Sequence, residues 1–282
     1  MVGTGALTMV GDRPRLVLPP GVGNVLCPIG GETAGPAVGE YVFRGCRLRL
    51  GAAGDVLFPT DVGVSLLAAL NGEAAVPIVG AQVLDVGCGS GLYTVALLLA
   101  GAARVTALDV NPACTAAAID NAARNGLDPG VVEAITGDLA ALAGPPRWDL
   151  VVCNPPHFPS DPAYASADGL ETALVGGVDG RALYDVLLAR LDDLLRPGGT
   201  LLLAHSSLTD VARTEARLTA AGYAVRTLQV CELDIPLRRY AAARDVLLAR
   251  LYQLRAAGSA AFTGLRFEVH TLAATRPVEG QE

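Results

Sequence analysis

The sequence predicts an α/β protein: a mostly parallel seven-stranded sheet with helices on both faces, preceded by a small N-terminal subdomain. Three observations carry that expectation. From Gln82 onward, apolar runs of four to six residues alternate with helical stretches, the pattern of strands buried on both faces and wrapped by helices. The first of these runs, Gln82–Val86, leads into the turn Gly87-Cys-Gly89-Ser-Gly91, which opens a helix. Before about residue 77 the chain is instead Gly- and Pro-rich, with short apolar segments. The expected division is therefore a subdomain over 1–77, placed to act as a lid, and a main domain over 78–282 with a helical insertion near 238–256.

Within the subdomain, Arg15–Leu18 and Tyr41–Leu50 read as strands and Val62–Leu70 as a short helix. The main-domain strands are expected at Gln82–Val86, Arg104–Asp109, Val131–Thr136, Asp149–Cys153, Thr200–Ala204, Val225–Glu232 and Leu265–Leu272. Helices are expected near 92–100, 112–125, 181–195, 209–221 and 238–256. Arg-Pro-Gly-Gly at 196–199 stops a helix and turns the chain into the next strand.

Composition narrows the function classes. At 282 residues and 51% hydrophobic, the chain builds a full core. All 21 basic residues are Arg, and the formal net charge is −7. Phosphate contacts need a basic footprint, so nucleic acid is not expected as a partner. Residues 238–282 hold 7 Arg against 4 acids, read here as a solvated helix face. The six cysteines, at 27, 46, 88, 114, 153 and 231, form no Cys-x-x-Cys pair, so no metal is expected. Cys88 and Cys153 fall in or beside core strands, which favours reduced thiols and a cytoplasmic location. Met1–Leu18 lacks a basic start followed by an apolar run, and the longest apolar stretch, Val95–Ala103, is too short to span a bilayer.

The cofactor site is expected where the first strands end. Glycines at 87, 89 and 91 permit a tight turn and close approach of a ligand. The spacing is Gly-x-Gly-x-Gly with Asp85 two residues before the first Gly. A dinucleotide fingerprint would be Gly-x-Gly-x-x-Gly, and position 92 is Leu. Asp109 ends the second strand, where a carboxylate accepts from both ribose hydroxyls; Asp138 follows the third, placed to accept from an adenine amino group. Capping explains one such acid but not three on successive strands. The acids suit a cofactor carrying a sulfonium and an ammonium rather than a pyrophosphate. In this region, roughly Gln82 to Ser207, the chain resembles the class I S-adenosylmethionine-dependent methyltransferases. The resemblance implies a Rossmann-like methyltransferase fold with S-adenosylmethionine as cofactor. Asp85, Gly87, Gly89 and Gly91 would lie along its methionine part, Asp109 at the ribose and Asp138 at the adenine, with Asn154 also bordering the cofactor. It further implies an antiparallel pair of final strands at one sheet edge, here with a helix inserted between them.

Asn154-Pro155-Pro156-His157 follows the fourth strand at its carboxyl end, the ligand-binding side of an open α/β sheet. The prolines fix the backbone, so Asn154 and the Pro155 carbonyl become two rigid acceptors for a planar NH2 group. The motif is similar to the Asn/Asp-Pro-Pro-aromatic signature of amino-methyltransferases. Position 157 departs from the usual Tyr or Phe; His157 serves either as a packing wall or as a general base, with Phe158 sharing the wall. Tyr93 and Tyr184 read as packing residues near the pocket, His205 as a residue near the sheet's carboxyl edge, and His270 as structural.

Two further segments are similar to the protein-glutamine N5-methyltransferase branch, the modifiers of release factors: Val56-Leu-Phe-Pro-Thr60-Asp61, and Ala173 to Tyr184 with its Gly176-Gly177-Val-Asp179-Gly180 loop. The branch's Arg-Pro-Glu is missing near position 60. The expectation is an N-methyltransferase for an amide or amino nitrogen of a protein glutamine or a small metabolite. Methylation of an RNA or DNA base, and S-adenosylmethionine-consuming cyclisation or aminobutyryl transfer, stand as alternatives.

Overall fold

The strand–helix alternation is realised in a computed structural model of the chain, which describes residues 6–10, 13–17, 37–52, 54–70, 76–160, 173–237 and 244–278. In chain order the elements are β1 (Ala6–Val10), β2 (Arg13–Val17), β3 (Ala37–Phe43), β4 (Cys46–Ala52), α1 (Asp61–Leu70), β5 (Gln82–Val86), α2 (Leu92–Leu99), β6 (Arg104–Asp109), α3 (Pro112–Arg124), β7 (Val132–Thr136) and β8 (Trp148–Cys153). They continue as α4 (Ala182–Leu194), β9 (Leu195–Ser206), α5 (Val211–Ala220), β10 (Ala224–Asp234), α6 (Arg244–Ala256) and β11 (Arg266–Thr275).

The large sheet runs β1-β2-β10-β11-β9-β8-β5-β6-β7. Its seven strands from β10 to β7 are the expected core. β11 alone among them is reversed, antiparallel to both β9 and β10. β5 pairs in parallel with β6 on one side and β8 on the other. Chain order reverses across β5, so the crevice at the carboxyl ends of β5 and β8 is a topological switch point, where such sheets bind ligands. Side chains alternate across the sheet. Val83, Val105, Leu150, Val152 and Leu202 join the core on one face. Leu84, Val86, Leu108, Val151, Leu201 and Leu203 join that on the other.

Three features differ from the sequence expectation or extend it. Tyr41–Leu50 is not one strand but the hairpin β3–β4, turning at Arg44 (φ 47°) and Gly45 (φ 78°). Two left-handed residues in a row match the twist of the flanking strands, but Arg-Gly carries a weaker turn signal than Asn-Gly. The hairpin is held to α3 by two asparagines. Asn121 Oδ1 accepts from Gly51 N–H at 2.7 Å while its Nδ2 donates to the carbonyls of Gly51 and Ser90. Asn125 bonds both the N–H and the carbonyl of Arg49. Second, β9 starts at Leu195, and its pairing with β8 jumps from Trp148↔Leu195 to Leu150↔Thr200. Arg196–Gly199 is thus a bulge in the ladder rather than a turn before it. Third, β10 is not the sheet's edge: β2 runs parallel to it, with Val230 opposite Arg15.

The helix α6 lies between β10 and β11; the first part of the predicted 238–256 helix, residues 238–243, lies outside the described residues. Arg250 Nε on α6 donates to the Val178 carbonyl at 2.8 Å. Among the described residues no helix is long and apolar enough to cross a membrane.

Candidate active site

The glycine turn is built from below. Asp85 is fully buried at the end of β5, and its Oδ2 accepts from the Thr94 N–H at 2.9 Å and the Thr94 hydroxyl at 2.7 Å. Oδ1 is buried without a hydrogen-bond partner, and burial pushes the carboxyl up to about 7. Above it, Gly87, Gly89 and Gly91 have φ of 70°, 52° and 78°, left-handed values that favour glycine. The N–H groups of Gly87 and Cys88 donate to the Leu108 carbonyl. The glycines differ in purpose. A Cβ at Gly87 would meet nothing within 4 Å, whereas one at Gly91 would lie 2.8 Å from Ala118 Cα. Gly91 therefore permits α2 to pack closely on α3.

The other two acids sit at strand ends. Asp109 Oδ2 accepts from Gly89 N–H at 3.0 Å and Oδ1 from Asn111 N–H at 2.9 Å. Each oxygen retains a second lone pair for a ligand. Asp138 follows β7, and its Oδ1 caps the short turn Leu139–Ala141 by accepting from Ala140 N–H at 2.8 Å. Asn111 Nδ2 donates to the Asp55 carbonyl at 3.2 Å, which draws the segment before α1 over this end of the sheet.

One cavity of about 640 Å³ runs from these acids to the end of β8. It brings together Gly87, Gly89, Asp109, Asp138, Asn154, Pro155 and His157. Asp85 and Gly91 are not in its wall; they support the turn from behind. Among the described lining residues the carboxylates are Asp55, Asp109 and Asp138, with no Arg. The cavity is thus anionic, suited to a cationic ligand and hostile to phosphate.

At the β8 end, Asn154 leaves the strand beside Tyr93, whose buried hydroxyl donates to the Gly63 carbonyl at 3.0 Å. His157 is buried, its Nδ1 3.2 Å from the Pro155 carbonyl, its ring 4.5 Å from Phe158 and 5.9 Å from Phe267. Burial lowers its pKa to about 4, so the imidazole is neutral at pH 7 with the proton on Nδ1. A base with that pKa is weak, and the packing role fits the geometry better. Replacing His157 with Phe is expected to keep turnover within about 5-fold of wild type, the scale of a volume-conserving swap. Because the depressed pKa leaves this group unprotonated above about pH 5, the rate should show no limb near the ordinary histidine value. A loss beyond 100-fold, or a limb near pH 6.5 that His157→Phe removes, would contradict the packing role.

The loop before α4 buttresses this motif. Phe158 N–H donates to the Leu174 carbonyl, and Gly176 N–H returns to the Phe158 carbonyl at 2.9 Å. A Cβ at Gly176 would lie 2.6 Å from the Pro156 carbonyl oxygen, and one at Gly180 would lie 2.5 Å from that of His157. The two glycines let backbone press on backbone. Arg181, 2% exposed, anchors the loop through Asp185, Thr214 and the carbonyls of Thr209 and Asp210. Tyr184 and His205 stack 4.3 Å apart behind the site; Tyr184 bonds the Ala204 carbonyl, and His205 Nε2 lies 2.8 Å from Thr214 Oγ1. Neither lines the cavity, nor does Phe158. His270 pairs with Glu268 away from it. The wall formed by Asp55, Leu57, Phe58 and Thr60, and the Cys114 thiol on α3, also line the cavity. The sequence motif at 56–61 marked that segment, but no local signal marked Asp55 or Cys114.

Comparison with known proteins fits this geometry. The family model for ribosomal protein L11 methyltransferase matches residues 67–155. The chain is similar to a release factor glutamine methyltransferase of Cereibacter sphaeroides, 34% identical over 209 residues, covering 72% of this chain and 71% of that one. A release factor glutamine methyltransferase of Rhodospirillum rubrum is 35% identical over 177 residues; the match covers 60% of this chain and about half, 52%, of that relative. In structure, the chain resembles the T. thermophilus 16S rRNA N2 methyltransferase RsmC solved with AdoMet and guanosine, with TM-score 0.52, 21% identity, and coverage of 85% and 50%.

Proposed function

The chain belongs to the release factor glutamine methyltransferase family of class I S-adenosylmethionine-dependent methyltransferases, and on that premise we propose that it methylates the side-chain amide nitrogen of a glutamine in a protein. S-adenosylmethionine is its cofactor, and it supplies a methyl group made electrophilic by the sulfonium. The residues present fit this group: the lining carboxylates face its positive charges, and the backbone at Gly87 is open to close approach. In this reading Gly87 and Gly89 border the methionine part, Asp109 accepts from the ribose hydroxyls, and Asp138 accepts from the adenine amino group.

The observation that carries the proposal is that Asn154 and Pro155 line the same cavity as Asp109 and Asp138. Asn154 Oδ1 and the Pro155 carbonyl would each accept one hydrogen of the substrate NH2. Held by both hydrogens, the nitrogen is turned toward the methyl group, and the two oxygen dipoles stabilise the positive charge that develops on it. Transfer would break the bond between the sulfonium sulfur and its methyl group, leaving the neutral thioether, and the methylated nitrogen would then release one proton to solvent. No ionised base is needed for the attack itself, consistent with a neutral His157.

The relatives are named for release factors, which makes a release factor the first substrate to test. Purified enzyme, S-adenosylmethionine and a release factor from the same cell should yield one glutamine heavier by one methyl group in peptide mass spectra. Methylated nucleosides from added RNA, with every glutamine unchanged, would contradict the proposal.

A further inference from the structure

Tyr93 is the one hydroxyl on α2 that reaches the end of β8. It is 5% exposed, yet it lines the cavity together with Gly63 and Asn154. A phenol has one proton to give. Burial raises the Tyr93 pKa well above its usual value, so that proton stays on the oxygen. It is committed to the Gly63 carbonyl on α1, at 3.0 Å. Toward any other neighbour the hydroxyl is therefore an acceptor. The polar group beside it is the Asn154 side-chain amide, which acts against burial by lowering the Tyr93 pKa. The local crowding agrees: a Cβ added at Gly63 would lie 3.4 Å from Asn154 Nδ2 and 3.4 Å from Tyr93 Oη. Nδ2 is thus the amide atom held on the α1–α2 side.

We propose that Tyr93 is a positioning residue that orients the Asn154 amide, binding Nδ2 so that Oδ1 faces the substrate. The inference rests on the reading of Asn154 as an acceptor for the substrate NH2. An amide turned the other way would present hydrogens to a donor, so the orientation decides whether the site accepts an amide nitrogen at all. It also makes α1 part of the catalytic arrangement, because the carbonyl that takes the Tyr93 proton belongs to that helix.

The test is a double-variant cycle of Tyr93→Phe and Asn154→Ala, measured in single turnover with enzyme in excess. Tyr93→Phe alone should lower the rate of methyl transfer about 10-fold, the size of one net hydrogen bond, with cofactor Kd within about 3-fold. In the Asn154→Ala background the same change should cost nothing further. A second readout does not depend on turnover. The Asn154 side-chain amide signals, identified by their loss in Asn154→Ala, should exchange with solvent at least 10-fold faster in Tyr93→Phe. Equal rate losses in both backgrounds, no rate loss in Tyr93→Phe, or unchanged amide exchange would each overturn the positioning role. Full turnover in Asn154→Ala would instead sink the acceptor reading beneath it, and the two failures are thereby told apart.

Discussion

Asn154→Ala is expected to lower the rate of methyl transfer about 10²- to 10³-fold, the loss typical of removing one fixed dipole from a developing charge. Cofactor affinity should stay within a few-fold, because the side chain acts on the acceptor. The argument is geometric. Asn154 sits at the carboxyl end of β8, fixed by the two prolines that follow and by the loop whose Gly176 and Gly180 allow backbone contact with residues 156 and 157. Truncation removes one of two acceptors and leaves the substrate nitrogen free to rotate away from the methyl group. Rapid-quench measurement of methyl transfer, beside calorimetry of cofactor binding, separates the two effects. A variant with normal turnover would remove Asn154 from the chemistry; one that lost cofactor affinity instead would place it at the wrong end of the cavity.

Asp109→Ala is expected to act at the opposite end. It should weaken S-adenosylmethionine binding by about 1.5–3 kcal/mol, the range for a charge-assisted hydrogen bond, or roughly 10- to 150-fold in Kd. The rate at saturating cofactor should fall much less. Asp109 also accepts from the N–H groups of Gly89 and Asn111, so part of the loss would reflect a loosened glycine turn. Asp109→Asn tests that share: it keeps one accepting oxygen, and it should recover part of the affinity if holding the turn matters. Unchanged Kd in Asp109→Ala, read by calorimetry, would exclude the carboxylate from the cofactor site.

Much of this architecture is legible in the sequence because it is written in local terms. A strand buried on both faces needs apolar side chains on both. So β8 and β9 carry the apolar runs Leu150–Cys153 and Leu201–Ala204, and the interiors of β5 and β6 are apolar apart from Asp85 and Thr106. The turn at 87–91 needs left-handed backbone, so it is glycine. The N-cap of α3, Asn111 followed by Pro112, is where sequence placed the helix start. What was not legible depends on tertiary approach. Asp85 and Gly91 look like ligand residues by spacing, yet one is buried against Thr94 and the other faces Ala118. Asp55 lines the cavity only because Asn111 holds its carbonyl from across the fold. Tyr93 reads as a packing residue near the pocket; its hydroxyl matters because α1 crosses at Gly63. Arg44-Gly45 splits what looks like one long strand; Arg-Gly is a weak turn signal, and the only mark of the turn is that the buried positions change phase from Tyr41 and Phe43 to Leu48 and Leu50.

The most direct test of methyl transfer from this cavity is the fate of the cofactor. Wild-type enzyme and Asn154→Ala, each incubated with S-adenosylmethionine and a protein extract, are compared by mass spectrometry of the small-molecule products. S-adenosylhomocysteine should form with wild-type enzyme, in step with methylated glutamine, and fall by at least two orders of magnitude in the variant. Methylthioadenosine as the product, or S-adenosylhomocysteine formed equally by both proteins, would contradict it.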